Sequence, residues 1–425
     1  MAAWFIGPVI NMDYLDNNSY DGFGGSGRGG RDLSRPYRAD GGMARMDGGV
    51  AGADGGSKEF GGLSVVVPVW NRCGLVGRAL GSIGSQSVRP DHIVVVDNGS
   101  TDGSLEAVLR WAAEYTGDAR RTLGPSVPTA ISSSEDAEKR TLGPSVPTAI
   151  SSSEDAEERT LGPSVPTAIS SSEDAEERTL GPDADGVWRF VAADGRRVSV
   201  AVEPRRGACA ARNRGLALVD TEWMMHFDSD DEMLPGHLER AVAAMKRGDA
   251  DVVGWDTELR REDGSSKLLR FYSRNMEKRN VLNGMMSTQR WAARTALVRR
   301  AGGWNEELKI WDDIELGARM LALHPRVRRV KGAPTVAVWA SGDASITGSG
   351  FASRAGRYEA ALQAIERTLG ARGAAVIAVK RGVLAADIRR EGGRMERPCG
   401  WRGTAAYWWR RVGLPGAGWL FGACS

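Results

Sequence analysis

Trp223-Met-Met-His-Phe-Asp-Ser-Asp-Asp231 is the stretch on which the reading of this chain turns. A short apolar run, Trp223 to Phe227, delivers Asp228, Asp230 and Asp231 at its end. In an open α/β sheet, side chains just past the carboxyl end of a strand gather in the crevice where ligands bind. Two carboxylates one residue apart suit a hard divalent cation, and such a cation neutralises a diphosphate. The plain alternative is an acidic turn capping the next helix. An isolated Asp-Ser-Asp does not choose between them, so the flanking segments must.

Upstream, Leu63-Ser-Val-Val-Val-Pro-Val69 is a β-branched run, as expected of a buried parallel strand. Pro68 stands near its end, where no ladder donor is needed. Asn71 is placed to cap the following helix. In that helix Leu75, Val76, Ala79, Leu80 and Ile83 recur at helical spacing. Residues 90–97 read as a second buried strand ending in Asp97; a tight turn and a helix over 105–115 follow. Strand, helix, strand, helix with parallel crossovers is the start of a nucleotide-binding α/β sheet.

Two more strands are predicted at 187–191 and 198–202, then a small-residue helix over 206–215 carrying Arg212 and Asn213. After the central stretch, Pro235 opens a helix with Leu238, Ala241, Val242 and Met245 on one face. A strand at 250–255, a hairpin-like polar segment over 256–280 and a strand within 285–298 ending near Val298 come next. Gly302-Gly-Trp-Asn-Glu306 reads as a turn. Trp311-Asp-Asp-Ile-Glu-Leu316 reads as a loop entering a helix whose acidic first turn suits the helix dipole. Strand signals run over 327–338, and the chain turns helical after Thr347.

Bulk properties narrow the class. At 425 residues there is room for two or three domains. A 41% hydrophobic content predicts a largely globular chain. A net charge of +2 gives no reason to expect nucleic acid as a partner. Cys73, Cys209, Cys399 and Cys424 are scattered without a CxxC pair. Neither a disulfide framework nor a zinc site is indicated, and a reducing, cytoplasmic compartment fits. No apolar run approaches the roughly 18 residues that span a bilayer. The N-terminus lacks the basic region of a signal peptide.

Residues 1–62, with Gly24-Gly-Ser-Gly-Arg-Gly-Gly30, are expected to be a disordered linker-like tail. From Arg121 a near-identical unit recurs at Arg140 and Arg159 with a period of 19 residues, and a fourth copy starts at Arg178 and stops after Pro182. Each complete unit has two prolines, a Ser/acid run and too few apolar residues to stack as a solenoid. The segment 119–185 is therefore expected to be a flexible insertion in a surface loop, which closure entropy tolerates. Trp401, Tyr407, Trp408, Trp409, Arg410, Arg411 and Trp419 close the chain. Trp beside Arg suits an interfacial membrane helix; packing of these aromatics onto the catalytic domain is the favoured reading, because aromatics dominate ordinary cores.

Val65-Val-Val-Pro-Val-Trp-Asn71, Val95-Val-Asp-Asn-Gly-Ser-Thr-Asp-Gly103, Ala211-Arg-Asn213, Phe227-Asp-Ser-Asp-Asp231 and Trp311-Asp-Asp-Ile-Glu-Leu316 together resemble the family 2 glycosyltransferases. Their order and spacing fit once the repeats are removed, over 63–350, with a helical C-terminal region at 351–425. The resemblance implies a GT-A fold: a Rossmann-like mixed sheet flanked by helices. It implies that Pro68, Val69, Asn71 and Asp97 bind the nucleotide. By the same resemblance Arg212 lies near the diphosphate, Asp228 and Asp230 hold Mg²⁺ or Mn²⁺, and Asp313 is the catalytic base. Asp312 replaces the glutamate more usual before that base. A further ligand, often His, is absent from 339–345, where Asp343 or water would complete the shell.

The implied reaction is inverting transfer from a nucleotide-sugar donor, a UDP-sugar first, to a glycan or lipid-linked acceptor. A nucleotidyltransferase is the nearest rival, but Pro68-Val-Trp-Asn-Arg72 stands where its Gly-rich phosphate loop would be. A non-catalytic scaffold displaying the repeats is the other rival, against which the intact acid set argues.

Overall fold

The computed structural model describes residues 60–118, 181–261, 263–339, 350–395 and 400–412. The tail before residue 60, nearly all of the repeat segment, Asp343 and Trp419 lie outside these residues. In chain order the described elements begin with β1 (Leu63–Val69), α1 (Cys73–Gly84), β2 (His92–Asp97) and α2 (Ser104–Thr116). Then come β3 (Val187–Val191), β4 (Arg197–Val202), α3 (Ala208–Leu218), β5 (Trp223–His226), β6 (Glu232–Met233), α4 (His237–Lys246) and β7 (Val252–Gly254). The hairpin β8 (Thr257–Arg260) and β9 (Ser266–Leu269) leads to α5 (Met276–Asn283), β10 (Trp291–Arg294), α6 (Thr295–Arg300), α7 (Asp312–Ala322), β11 (Val327–Arg329) and β12 (Val336–Trp339). Three helices follow: α8 (Ala355–Leu369), α9 (Ala374–Arg390) and α10 (Gly400–Val412).

The molecule is a mixed α/β structure, as the sequence predicts. Eight strands form one sheet in the order β11-β7-β10-β5-β1-β2-β4-β3, and β6-β12-β8-β9 form a second. β1 pairs in parallel with both β2 and β5, and β2 with β4, whereas β10 runs antiparallel to β5 and β7. The β-branched residues of β1 alternate between the two faces. Val65, Val67 and Val69 pack with Ile93, Val95 and the apolar stripes of α1 and α2. Val66 faces the other way with Val94, Val96 and α3. Burial on both faces is what makes the parallel strands continuous apolar runs. Gly215 of α3 lies so close to β1 that a Cβ there would overlap Val66.

Register sets up the site. Val69 pairs with Asp97, while β5 ends at His226 opposite Val66. Phe227 continues the ladder through its N–H to the Val66 carbonyl, 2.9 Å, and is fully buried. The acids that follow thus emerge beside the carboxyl end of β1, at the place where strand order reverses and open sheets bind ligands.

Four sequence expectations change. The strand within 285–298 is β10 and stops at Arg294; Thr295 to Arg300 turns into α6. The hairpin occupies only 257–269, and Met276–Asn283 is a helix, α5. Asn71 does not cap α1: its φ is +49° and its Oδ1 accepts from the Thr101 N–H at 2.9 Å. The β2–α2 turn satisfies the start of α1 instead, with Ser104 Oγ accepting from Arg72 N–H and Asp102 Oδ2 from Cys73 N–H. Finally, α10 does not bury its indoles. It packs Ala406 into the C-terminal helical core and leaves Trp401 70% and Trp408 58% exposed.

Candidate active site

A cavity of about 520 Å³ opens at the carboxyl ends of β1 and β5. Pro68 and Val69 line one wall, Asp228 to Asp231 the floor, and Ala208, Ala211 and Arg212 of α3 another wall. Trp70, Arg72, Asn98, Arg206, Gln289 and Trp339 also line it. Of the sequence-predicted residues, Pro68, Val69, Arg212, Asp228 and Asp230 therefore meet in one cavity. Asn71 and Asp97 stand behind its rim. Asp97 is buried and accepts from the Gly99 and Ser100 N–H groups at 3.0 and 2.9 Å through Oδ2. Its Oδ1 is buried without a partner, and burial raises its pKa above the ordinary 3.8. Asn98 lines the cavity and ties the segment after β4 to the end of β2, donating to the Glu203 and Arg205 carbonyls at 2.8 Å each.

Arg212 is the hub. Its guanidinium bonds Asp228 Oδ1 and Asp312 Oδ2, each at 2.9 Å. It also lies 4.5 Å from the centre of the Trp304 ring. One buried cation thus joins the acidic turn after β5 to the first residue of α7, which lies 100 residues beyond Arg212 in sequence. Gln289 Nε2 donates to Asp228 Oδ2, and Cys209 Sγ approaches Asp312 Oδ2 at 3.2 Å. Burial and the neighbouring carboxylate push the Cys209 thiol up, so it remains a donor to Asp312.

The remaining acids of the turn are poorly compensated. Burial and the charge of Asp228 raise the pKa of Asp230, which Arg72 Nε faces from 3.5 Å. Asp231 Oδ1 accepts from the Trp339 N–H at 2.9 Å, but Oδ2 is buried without a partner. Burial, then Asp228 and Asp230, push its pKa well up. Crowded hard oxygen donors of this kind fit a divalent cation. Among the described residues no three His, Cys, Asp or Glu side chains are grouped as a complete metal shell. Asp343 lies outside those residues.

Asp313 is next to Asp312 in the first turn of α7. Its Oδ1 accepts from the Ile314 N–H at 2.7 Å. Burial and then the charge of Asp312 push its carboxyl up to about 7. Trp311, the residue before them, holds φ +55°, a left-handed conformation for a bulky side chain. Such strain costs about 1–3 kcal/mol and persists only where the surroundings impose it.

Gln289 and Trp304 are functional neighbours that the sequence reading does not single out. Gln289 sits in an unremarked polar run before β10. Trp304 was visible as an aromatic inside a polar turn. Its indole N–H donates to His226 Nε2 at 2.9 Å, and its backbone is gripped on both sides by the Asn213 amide. Burial, then Arg212, hold His226 well below its ordinary pKa, so it is a neutral acceptor here.

Residues 64–122 and 184–300 match the family model described as Glycosyl transferase family 2. The match covers less than half of the chain, spans β1 to α6 with Asp228, Asp230 and Gln289, and ends before Asp312 and Asp313. Among curated proteins none matches this chain. Among solved structures, TarS 1-349 of S. aureus aligns at 16% identity with a TM-score of 0.44, covering 74% of this chain and 69% of that one. The same protein in complex with UDP aligns at 16% and 0.45 over 78% and 73%. The mannosyltransferase PcManGT from Pyrobaculum calidifontis, in complex with GDP-Man and Mn2+, aligns at 14% and 0.37 over 87% and 75%.

Proposed function

We propose that this chain, whose residues 64–122 and 184–300 match the family model described as Glycosyl transferase family 2, is a glycosyltransferase and that the cavity transfers a sugar with inversion. The donor is a nucleoside-diphosphate sugar, with uridine as the nucleoside to test first. The acceptor is a hydroxyl of a glycan or a lipid-linked glycan. The observation that carries this reading is the single guanidinium of Arg212 binding both the acidic turn and the start of α7 around one cavity. It puts a fixed positive charge beside the place for a diphosphate and brings Asp313 to the same neighbourhood.

Asp228 and Asp230 would hold Mg²⁺ or Mn²⁺, which when bound neutralises the diphosphate. Arg212 and Arg72 add positive charge at the same wall. Pro68, Val69, Asn71 and Asp97 hold the nucleoside end. Asp313 accepts the acceptor hydroxyl's proton as that oxygen bonds to the anomeric carbon. The bond from that carbon to the diphosphate oxygen breaks on the opposite face, and the nucleoside diphosphate leaves. A carboxyl with a pKa of about 7 is a stronger base than an ordinary aspartate and is largely ionised just above neutrality. A thermal-shift screen of nucleotide-sugars with Mn²⁺, followed by turnover of the best binder, tests the reading. Stabilisation by a nucleotide-sugar together with release of its nucleoside diphosphate is expected; nucleotide-sugar synthesis from sugar phosphate would replace transfer with nucleotidyl chemistry.

No helix among the described residues is long and apolar enough to cross a membrane. Contact with an anionic membrane surface is proposed instead through α10. Trp401 and Trp408 are exposed seven residues apart, and Arg411 lies on the same face. Residues 389–411 carry seven arginines against two glutamates. Indoles at the interface and arginines against anionic headgroups are the recognition chemistry of such surfaces. The full chain should sediment with phosphatidylglycerol vesicles and not with phosphatidylcholine vesicles. Trp401→Ser with Trp408→Ser should abolish the binding. Equal sedimentation of that variant would overturn the assignment.

A further inference from the structure

We propose that Lys380 is a positioning residue for the acids that open α7, acting through Trp311. The proposal deepens the reading of Asp313 as proton acceptor and rests on it.

Lys380 lies on α9, 3% exposed, among Val376, Ile377, Val383 and Leu384. A methionine would pack there as well, and a buried ammonium is costly unless its charge is used. Among the described residues no carboxylate ion-pairs with it. The ammonium instead meets two groups. Nζ donates to the Leu282 carbonyl at 2.8 Å, in the last turn of α5, where helix carbonyls lack partners and carry the negative end of the dipole. It also lies 4.7 Å from the centre of the Trp311 ring, within cation–π range. Burial draws its pKa down to about 7, consistent with the lack of a direct counter-ion.

Trp311 is the residue that must be held. It has φ +55° and ψ 24° with no glycine to relax the strain, and its carbonyl accepts the first α7 bond, from Glu315 N–H at 2.9 Å. Asp312 and Asp313 follow it directly. Tyr358 of α8 contacts the same ring, centre to centre 4.8 Å. α5 is tied to α7 independently by the Asn280 amide, which donates to the Ile314 carbonyl at 2.8 Å. Lys380 therefore bridges α5 and the strained turn, and the C-terminal helices set the direction in which the two acids leave it.

Lys380→Met, Trp311→Ala, their combination and Asp313→Asn are to be compared in the full chain. The first readout needs no donor: carboxyl ¹³C NMR titration of Asp313. With the clamp removed, the first turn of α7 opens to water, and the Asp313 midpoint should fall by one pH unit or more. The second is kcat and KM for the nucleotide-sugar the wild type turns over, with UDP affinity in Mn²⁺ by calorimetry. Lys380→Met should lower kcat about 10-fold to 100-fold, the scale of a displaced reacting group, with UDP affinity unchanged. The double variant should lose no more than the worse single, since both act through one contact. Where Lys380→Met fails to fold, Trp311→Ala carries both readouts. An unmoved Asp313 midpoint, or losses that multiply in the double variant, overturns the role of Lys380. Full turnover by Asp313→Asn overturns the base reading alone and leaves the titration result to stand on its own.

Discussion

Two acid pairs flank Arg212, one lining the cavity and one opening α7 behind it, and they are built differently. The turn after β5 presents Asp230 and Asp231 at a strand end, where buried like charges crowd together with few donors. Both carboxyls are pushed up, and one oxygen of Asp231 has no partner. The pair opening α7 is divided by its neighbours. Asp312 is engaged by Arg212 and Cys209, while Asp313 takes a single backbone donor and sits at about 7. Residue type is the same; the difference lies in what each carboxylate touches. Crowding without donors creates a deficit of positive charge that a cation relieves. Pairing one acid and desolvating its neighbour leaves a base poised near neutral pH.

The comparison breaks most decisively at Asp313. Asp313→Asn should lower transfer by about 10²–10⁴-fold, the usual contribution of a general base, while UDP affinity stays unchanged. Wild-type turnover by that variant would make the two pairs equivalent. Next in size, Asp230→Ala should weaken UDP binding in Mn²⁺ by roughly 10-fold or more, with metal-free binding little altered. Equal calorimetric affinity with and without the substitution would remove the cation from the β5 turn.

A smaller effect sharpens the division within the second pair. The acid limb of kcat/KM should break near pH 7, falling as Asp313 is protonated. Asp312→Asn removes the neighbouring negative charge, so the break should move to lower pH. Stability runs the opposite way. The folded pKa lies above the ordinary 3.8, so this carboxyl's contribution is fully present below that value and is lost as pH rises through about 7. A break that stays in place would mean Asp312 does not act on Asp313. The smallest change is expected in the scaffold shared by both pairs. Trp304→Phe strips the hydrogen bond from buried His226 and should cost about 1–3 kcal/mol in urea unfolding.

The strand core and the placing of acids at strand ends were legible because their causes are local. β-Branched runs of fixed length declare buried parallel strands, and an acid directly after such a run must leave the sheet at its edge. Asn71 shows where local reasoning stops. A polar residue before a helix has the spacing of a cap, yet its amide is used across the crevice at Thr101, and Ser104 and Asp102 serve α1 in its place. Gln289 had no local signal: its value comes from β10 lying beside β5, an adjacency reached by the chain only after an antiparallel return. By type the aromatic residues of α10 favour a core, whereas helix packing turns only its small residues inward and leaves Trp401 and Trp408 outside.

By itself, then, the sequence determined the α/β class and the carboxyl-edge location of the acids after β5, since periodicity and short-range spacing survive without a fold; Arg212 and Asp313 joined Asp228 and Asp230 as candidates only through the resemblance to the family 2 glycosyltransferases. Tertiary structure alone decided which charges meet. Arg212 bonds Asp312 as well as Asp228, Trp304 lies against that cation, and Lys380 reaches Trp311 from a helix near the end of the chain. Strand order and helix docking set those distances, and the strength of each charge depends on the water they exclude.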